Sequence, residues 1–131
     1  MEIITQRAAE ILLLCFLAIT FLQSGLDKVF DWNGNLSWLK SHFGESFLRG
    51  IVPALVFILT VTELAAGLLS MAGLIQMVRG AGDDLAFWGA AVSCLAFLML
   101  LFGQRVAKDY DGARTIAIYF MPGIFLLYLL Q

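Results

Sequence analysis

Charge is scarce in this chain. Of 131 residues only 14% are charged while 61% are hydrophobic, where a soluble domain carries about 25% charged and about 45–50% apolar residues. Eight Lys and Arg with ten Asp and Glu cannot cover the surface of a water-soluble fold. A mean hydropathy of +0.90 points the same way, to one integral membrane domain with the lipid bilayer as its first partner. The net charge is −2 and no basic patch is concentrated anywhere, so nucleic acid is not a partner. Cysteine is scarce too. Cys15 and Cys94 stand singly inside apolar runs, which indicates neither a disulfide framework nor a thiolate metal site. A dithiol redox centre, with its C-x-x-C spacing, is not expected either. The single histidine, His42, has no second histidine beside it and no carboxylate closer than Glu45, so no metal site is expected. A flavin fingerprint, a phosphate loop and a haem ligand pair are missing as well.

What the chain has in abundance is apolar length. Runs over residues 8–30, 51–78, 85–108 and 113–130 approach or exceed the roughly 20 residues that a helix needs to cross a bilayer. Unpaired backbone is too costly in hydrocarbon for any other form, and sustained apolar runs do not show the alternation of a barrel strand. The expectation is an all-α membrane protein, a four-helix transmembrane bundle. Arg7 followed by an apolar stretch and then by Ser24 and Gly25 also resembles a cleaved signal peptide; we expect a retained span. Pro53 suits a first helical turn, Asp83 and Asp84 suit a helix N-terminus, and Pro122 is expected to kink the last span.

Between the first two runs, residues 36–48 carry Leu39, Phe43 and Phe47 at spacings of four, with Trp32 and Trp38 just before. That pattern predicts a short amphipathic helix, either anchored in the lipid interface by its aromatic rings or folded back as a lid over the bundle mouth. Residues 25–34 read GLDKVFDWNG and residues 103–112 read GQRVAKDYDG. This echo suggests a duplicated helical hairpin; the plainer reading is two helices that stop alike, with Asn33-Gly34 and Asp111-Gly112 as left-handed turns. Lys28, Lys40, Arg49, Arg105, Lys108 and Arg114 fall on the face of the first and third loops, against Arg7 and Arg79 on the other. The excess puts those loops in the cytoplasm.

Chemistry would reside in the charges that fall inside the spans. Glu63 lies twelve residues beyond Ile51, roughly 18 Å along the helix and near the bilayer midplane. A lone carboxylate there must be protonated or paired. Lys28 and Arg105 are its candidate partners, and one of them is expected within ion-pair distance. The result is either a functional carboxylate in a cavity or an ion pair that sets bundle register. Arg105 and Asp109, four apart, share a helix face if the helix continues through them. With Lys108, Tyr110, Asp111 and Arg114 they make a polar cluster at one mouth, where Asp111 is the expected N-cap of the last helix. A quinone head group needs a polar contact beside an apolar slot, and His42, Tyr110 and Tyr119 are the candidates.

The run Gly25-Leu-Asp-Lys28, Glu63 followed by Gly67, and Gly103-Gln-Arg105-Val-Ala-Lys-Asp109-Tyr110-Asp-Gly112-Ala113 resemble the DoxX family of small four-helix bacterial membrane proteins, over nearly the whole chain. The resemblance implies a multi-pass protein of the bacterial inner membrane. Some relatives are associated with quinone-coupled thiosulfate oxidation, others with a membrane redox complex. By position, Lys28, Glu63, Arg105 and Asp109 would be the family's polar residues. The plan also resembles that of vitamin K epoxide reductase-like proteins, but the cysteine pair is missing. Two functions follow as expectations: a redox-associated subunit linked to a quinone or an oxyanion, and a non-catalytic accessory or scaffold subunit of a larger membrane complex. Other complex subunits are the expected protein partners, and self-association into a homo-oligomer is open.

Overall fold

The computed structural model describes residues 2–44 and 46–131, the Arg49 side chain excepted. Among these residues the chain is helical, with no strand. A short α1 (Glu2–Gln6) leads into α2 (Ala8–Phe30), followed by α3 (Trp32–His42), α4 (Val52–Val78), α5 (Asp84–Val106) and α6 (Tyr110–Leu130), with a single 3-10 turn at Arg49–Ile51 before α4. Helices α2, α4, α5 and α6 are each long and apolar enough to cross a membrane. They form the expected four-helix bundle. α4 lies between α2 and α5, and α6 packs chiefly on α5, so that α2 and α6 touch little.

Small residues set these contacts, because two helices in lipid gain association free energy from close packing rather than from escaping water. A side chain at Gly67 would strike Leu22 of α2, one at Gly89 would strike the backbone of Leu69 and Ser70, and one at Gly73 would strike the backbone of Ala86. Phe21, Leu17, Phe97 and Leu126 fill the buried centre, with the Phe21 and Phe97 rings 4.8 Å apart. Leu12, Ile19, Phe57, Leu68, Leu95 and Met121 point outward, which in a bilayer is toward acyl chains.

Several local expectations are corrected. The short helix covers Trp32–His42 rather than 36–48, because Asp31 stops α2 and opens a new helix at once; Phe47 lies beyond it and is exposed. The third span ends at Val106 and not at 108, since Lys108 takes a left-handed φ of 62°, which closes the helix terminus. The last span opens at Tyr110 and not at 113. Its N-cap is Asp109, whose Oδ1 accepts from the Gly112 amide at 3.0 Å; Asp111, the residue expected there, sits inside the first turn and pairs with Arg114. The left-handed turns expected at Asn33-Gly34 and Asp111-Gly112 are absent. Gly34 and Gly112 are both in first turns of helices, and a Cβ on either would meet the carboxylate of Asp31 or Asp109. The echo therefore marks two helix starts of the form Asp-aromatic-x-Gly, where glycine leaves room for the aspartate carboxylate; Asp109 uses it to cap α6, whereas Asp31 makes no side-chain cap hydrogen bond. Glu45 and the Arg49 side chain lie outside the described residues.

Candidate functional site

Glu63 is eleven residues into α4 and fully buried. Lys28, in the last turn of α2, extends inward until its Nζ lies 3.0 Å from Glu63 Oε1, with only 12% of its side chain exposed. The same Nζ donates to Ser24 Oγ one turn back, at 2.8 Å. The ammonium approaches Glu63 off the hydrogen-bonding direction, and neither carboxylate oxygen receives an aligned hydrogen bond. Attraction between opposite charges, strengthened where water is excluded, therefore holds the pair. α2 delivers the lysine here because Gly25 lets Leu64 come against its backbone, bringing α2 and α4 close at this level.

Lys28 forms part of the wall of a cavity of about 470 Å³, within the roughly 300–1,000 Å³ typical of small-molecule sites. Val52, Leu55, Val56 and Leu59 of α4 make one apolar side, and Leu98, Phe102 and Gly103 of α5 another. α3 lines the mouth, which stays partly open, with Asn35, Trp38, Leu39 and His42. Its inner side thus lies over the bundle mouth as a lid would, while Trp38 keeps most of its surface outside. Its seat is specific. The His42 ring stacks on Trp38 at 4.6 Å, His42 Nε2 is 3.6 Å from Asp109 Oδ2, an ion pair when the imidazole is protonated, and the Phe43 ring rests against Gly103. Gln104 also lines the cavity, and its Oε1 is buried with no hydrogen-bond partner among the described residues.

The residues singled out from the sequence are thus only partly brought together. Lys28 and Glu63 form a pair, and His42 and Asp109 meet at the lid. Arg105 does not join Glu63: it is exposed, with its guanidinium 4.9 Å over the Tyr110 ring. The shared face for Arg105 and Asp109 does not exist, because α5 ends between them. Tyr110 is exposed at the start of α6. Tyr119 lies on another side of the bundle, in a smaller cleft of about 330 Å³ with Phe16, Thr20, Gln23, Ser24 and Asp27. Sequence reasoning missed Gln104 and this cleft. The spacing of Thr20, Gln23, Ser24 and Asp27, at i, i+3, i+4 and i+7, is a polar stripe on an apolar helix and was the available signal. Among the described residues no three His, Cys, Asp or Glu side chains converge as a metal site would require.

At the opposite end Arg7 donates to Glu10 at 2.8 Å and to Asp83 at 3.0 Å. Burial works against its charge, but the hydrogen bonds and charges of Glu10 and Asp83 outweigh it, and the net effect raises the Arg7 pKa. Four helices long and apolar enough to span a membrane, with a cavity at one end of the bundle beneath α3, define the class as a multi-pass helical membrane protein. Comparison of the chain with protein-family models, with curated proteins and with solved structures finds no match.

Proposed function

We propose that the chain is a DoxX-like subunit of the bacterial inner membrane, redox-associated, whose lidded cavity receives a quinone-type head group. The observation that carries this reading is the cavity itself: apolar on its α4 and α5 walls, with the Lys28 ammonium set into one side. An ammonium has three donors. One serves Ser24 and a second lies toward Glu63, which leaves the third for an electron-rich oxygen of the occupant. The unpartnered Gln104 Oε1 is an acceptor for a hydroxyl, and a reduced quinone carries one. These residues bind and orient; a quinone, when bound, would supply the electron-carrying chemistry. An oxyanion would be served by the same ammonium but not by the apolar walls. The cavity face belongs in the cytoplasm on the count of basic residues. Lys28 turns inward and leaves that count, while Arg105 and Arg114 are exposed and remain in it.

A spectral titration of the purified protein with menaquinone and ubiquinone analogues tests the reading. Saturable binding is expected, weakened about tenfold or more in Lys28→Met/Glu63→Leu, which removes both charges together. An assembled protein that binds no quinone, in wild type as in the variant, supports the scaffold function instead.

A further inference from the structure

The cavity and the α2/α6 cleft each reach the last turns of α2, and one hydrogen bond joins them. Lys28 lines the first and Ser24 lines the second, and Lys28 Nζ donates to Ser24 Oγ at 2.8 Å. The Ser24 hydroxyl is thereby used as an acceptor, while its own hydrogen has no acceptor among the described residues. Four polar side chains of α2 line this cleft, from Asp27 near the helix end to Thr20, with apolar Phe16 and the outward-facing Ile19 at its rim. Thr20 lies ten residues before the end of α2, roughly 15 Å deep at a 1.5 Å rise. Tyr119, nine residues into α6, faces the stripe from the other side at a matching depth. Polar side chains at such depth line protein interiors or water-filled cavities rather than meet acyl chains. Asp27 and Gln23 are exposed and Ser24 is half-buried, so the stripe runs from the end of α2 inward past Ser24, the member that touches Lys28.

We infer that the α2/α6 cleft is a water-filled proton inlet, in which Ser24 relays hydrogen-bonded protons between cleft water and the Lys28–Glu63 pair. The order of steps follows the donors: the Lys28 ammonium, 3.0 Å from Glu63 Oε1, first gives a proton to the carboxylate and becomes a neutral amine with a free lone pair. The Ser24 hydroxyl then turns to give its hydrogen to that amine while its oxygen takes a proton from cleft water, so serine and lysine end unchanged and no oxidant or reductant is involved. The end of α2 and the start of α6 lie at the end of the bundle that carries α3, so Asp27 marks that end of the cleft and Thr20 and Tyr119 lie farther in. The proposal rests on the quinone reading only for what the protons are used for.

Two measurements, neither using a quinone, test it on the full chain in nanodiscs. In a Cys15→Ala/Cys94→Ala background, Thr20→Cys should react with a charged, water-borne methanethiosulfonate roughly tenfold or more faster than Ile118→Cys, which is exposed on α6 but outside the cleft. Equal rates overturn the inlet. Disulfide-linked dimers of Thr20→Cys in place of labelling also overturn it, since a second copy would then cover the stripe. For the relay, water exchange of the Lys28 ammonium hydrogens is read by nitrogen-15 NMR, with Lys40 and Lys108 as exposed references. Exchange should slow about tenfold in Ser24→Ala and recover in Ser24→Thr; an unchanged rate in Ser24→Ala overturns the relay. Loss of quinone binding with fast Thr20→Cys labelling would remove the redox reading and leave the inlet.

Discussion

The two ends of the bundle are built on opposite principles. At the end holding α1 and the link between α4 and α5, helix backbones meet directly: Gly73 admits Ala86, the link is short, and Arg7 ties the start of α2 to Asp83. At the other end α4 and α5 wall a cavity beside the close α2–α4 contact at Gly25, α3 lies over it from outside, and charges are drawn inward. Small residues close one end because packing is the main source of cohesion between helices in lipid. The open end is held by a lid and an ion pair, interactions that can accommodate a guest.

The largest test of this contrast is at the open end. Lys28→Met leaves the Glu63 carboxylate buried without a counter-charge and should destabilise the protein by about 3–5 kcal/mol. Adding Glu63→Leu should recover most of that loss. Denaturant unfolding of the two single variants and the double variant in detergent measures the coupling, and strict additivity would show that the pair contributes nothing. At the closed end Gly73→Leu sets a side chain against the Ala86 backbone and should cost about 3 kcal/mol or disrupt assembly, read as a fall in the thermal midpoint. Its effect on quinone affinity should be small if the ends are independent.

Smaller changes sharpen the picture. Asp109→Ala removes both the α6 cap and the His42 contact, with an expected cost of about 1 kcal/mol. Proteolysis near residues 43–48 should accelerate in that variant while the spans stay protected. Arg7→Gln should cost about 0.5 kcal/mol, since the pair is partly exposed. The folded-state pKa of Arg7 is raised, so its contribution is complete below the ordinary arginine range and is lost only as pH rises through the raised value. Thermal midpoints of wild type and Arg7→Gln should therefore differ by the same amount from about pH 5 to about pH 9.

Much of the fold was readable in advance. The four spans follow from the length of the apolar runs, and the expectation that either Lys28 or Arg105 meets Glu63 follows from the need to neutralise a deep carboxylate. The ends of the helices were harder. Asp109 and Asp111 are both acceptable caps two residues apart, and Lys108 offers no local reason for a left-handed turn, so the stop of α5 and the start of α6 depend on how the helices meet. Arg105 failed as a partner for Glu63 for a related reason: it leaves α5 on an outward face and finds the Tyr110 ring instead. Tyr119 was read as a cavity contact because spacing along a helix does not tell which neighbour a face will meet.

Solvent, secondary structure and the need for a cation beside Glu63 are written in the residues themselves, because transfer of backbone and charge into hydrocarbon is costly whatever the neighbours are. Which cation answers, where α3 comes to rest, and whether Thr20, Gln23, Ser24 and Asp27 face lipid or a cleft depend on the rotation and spacing of packed helices. Those are set by glycine contacts between segments far apart in the chain, at Gly25 with Leu64, Gly67 with Leu22 and Gly73 with Ala86, and a one-dimensional pattern does not contain them.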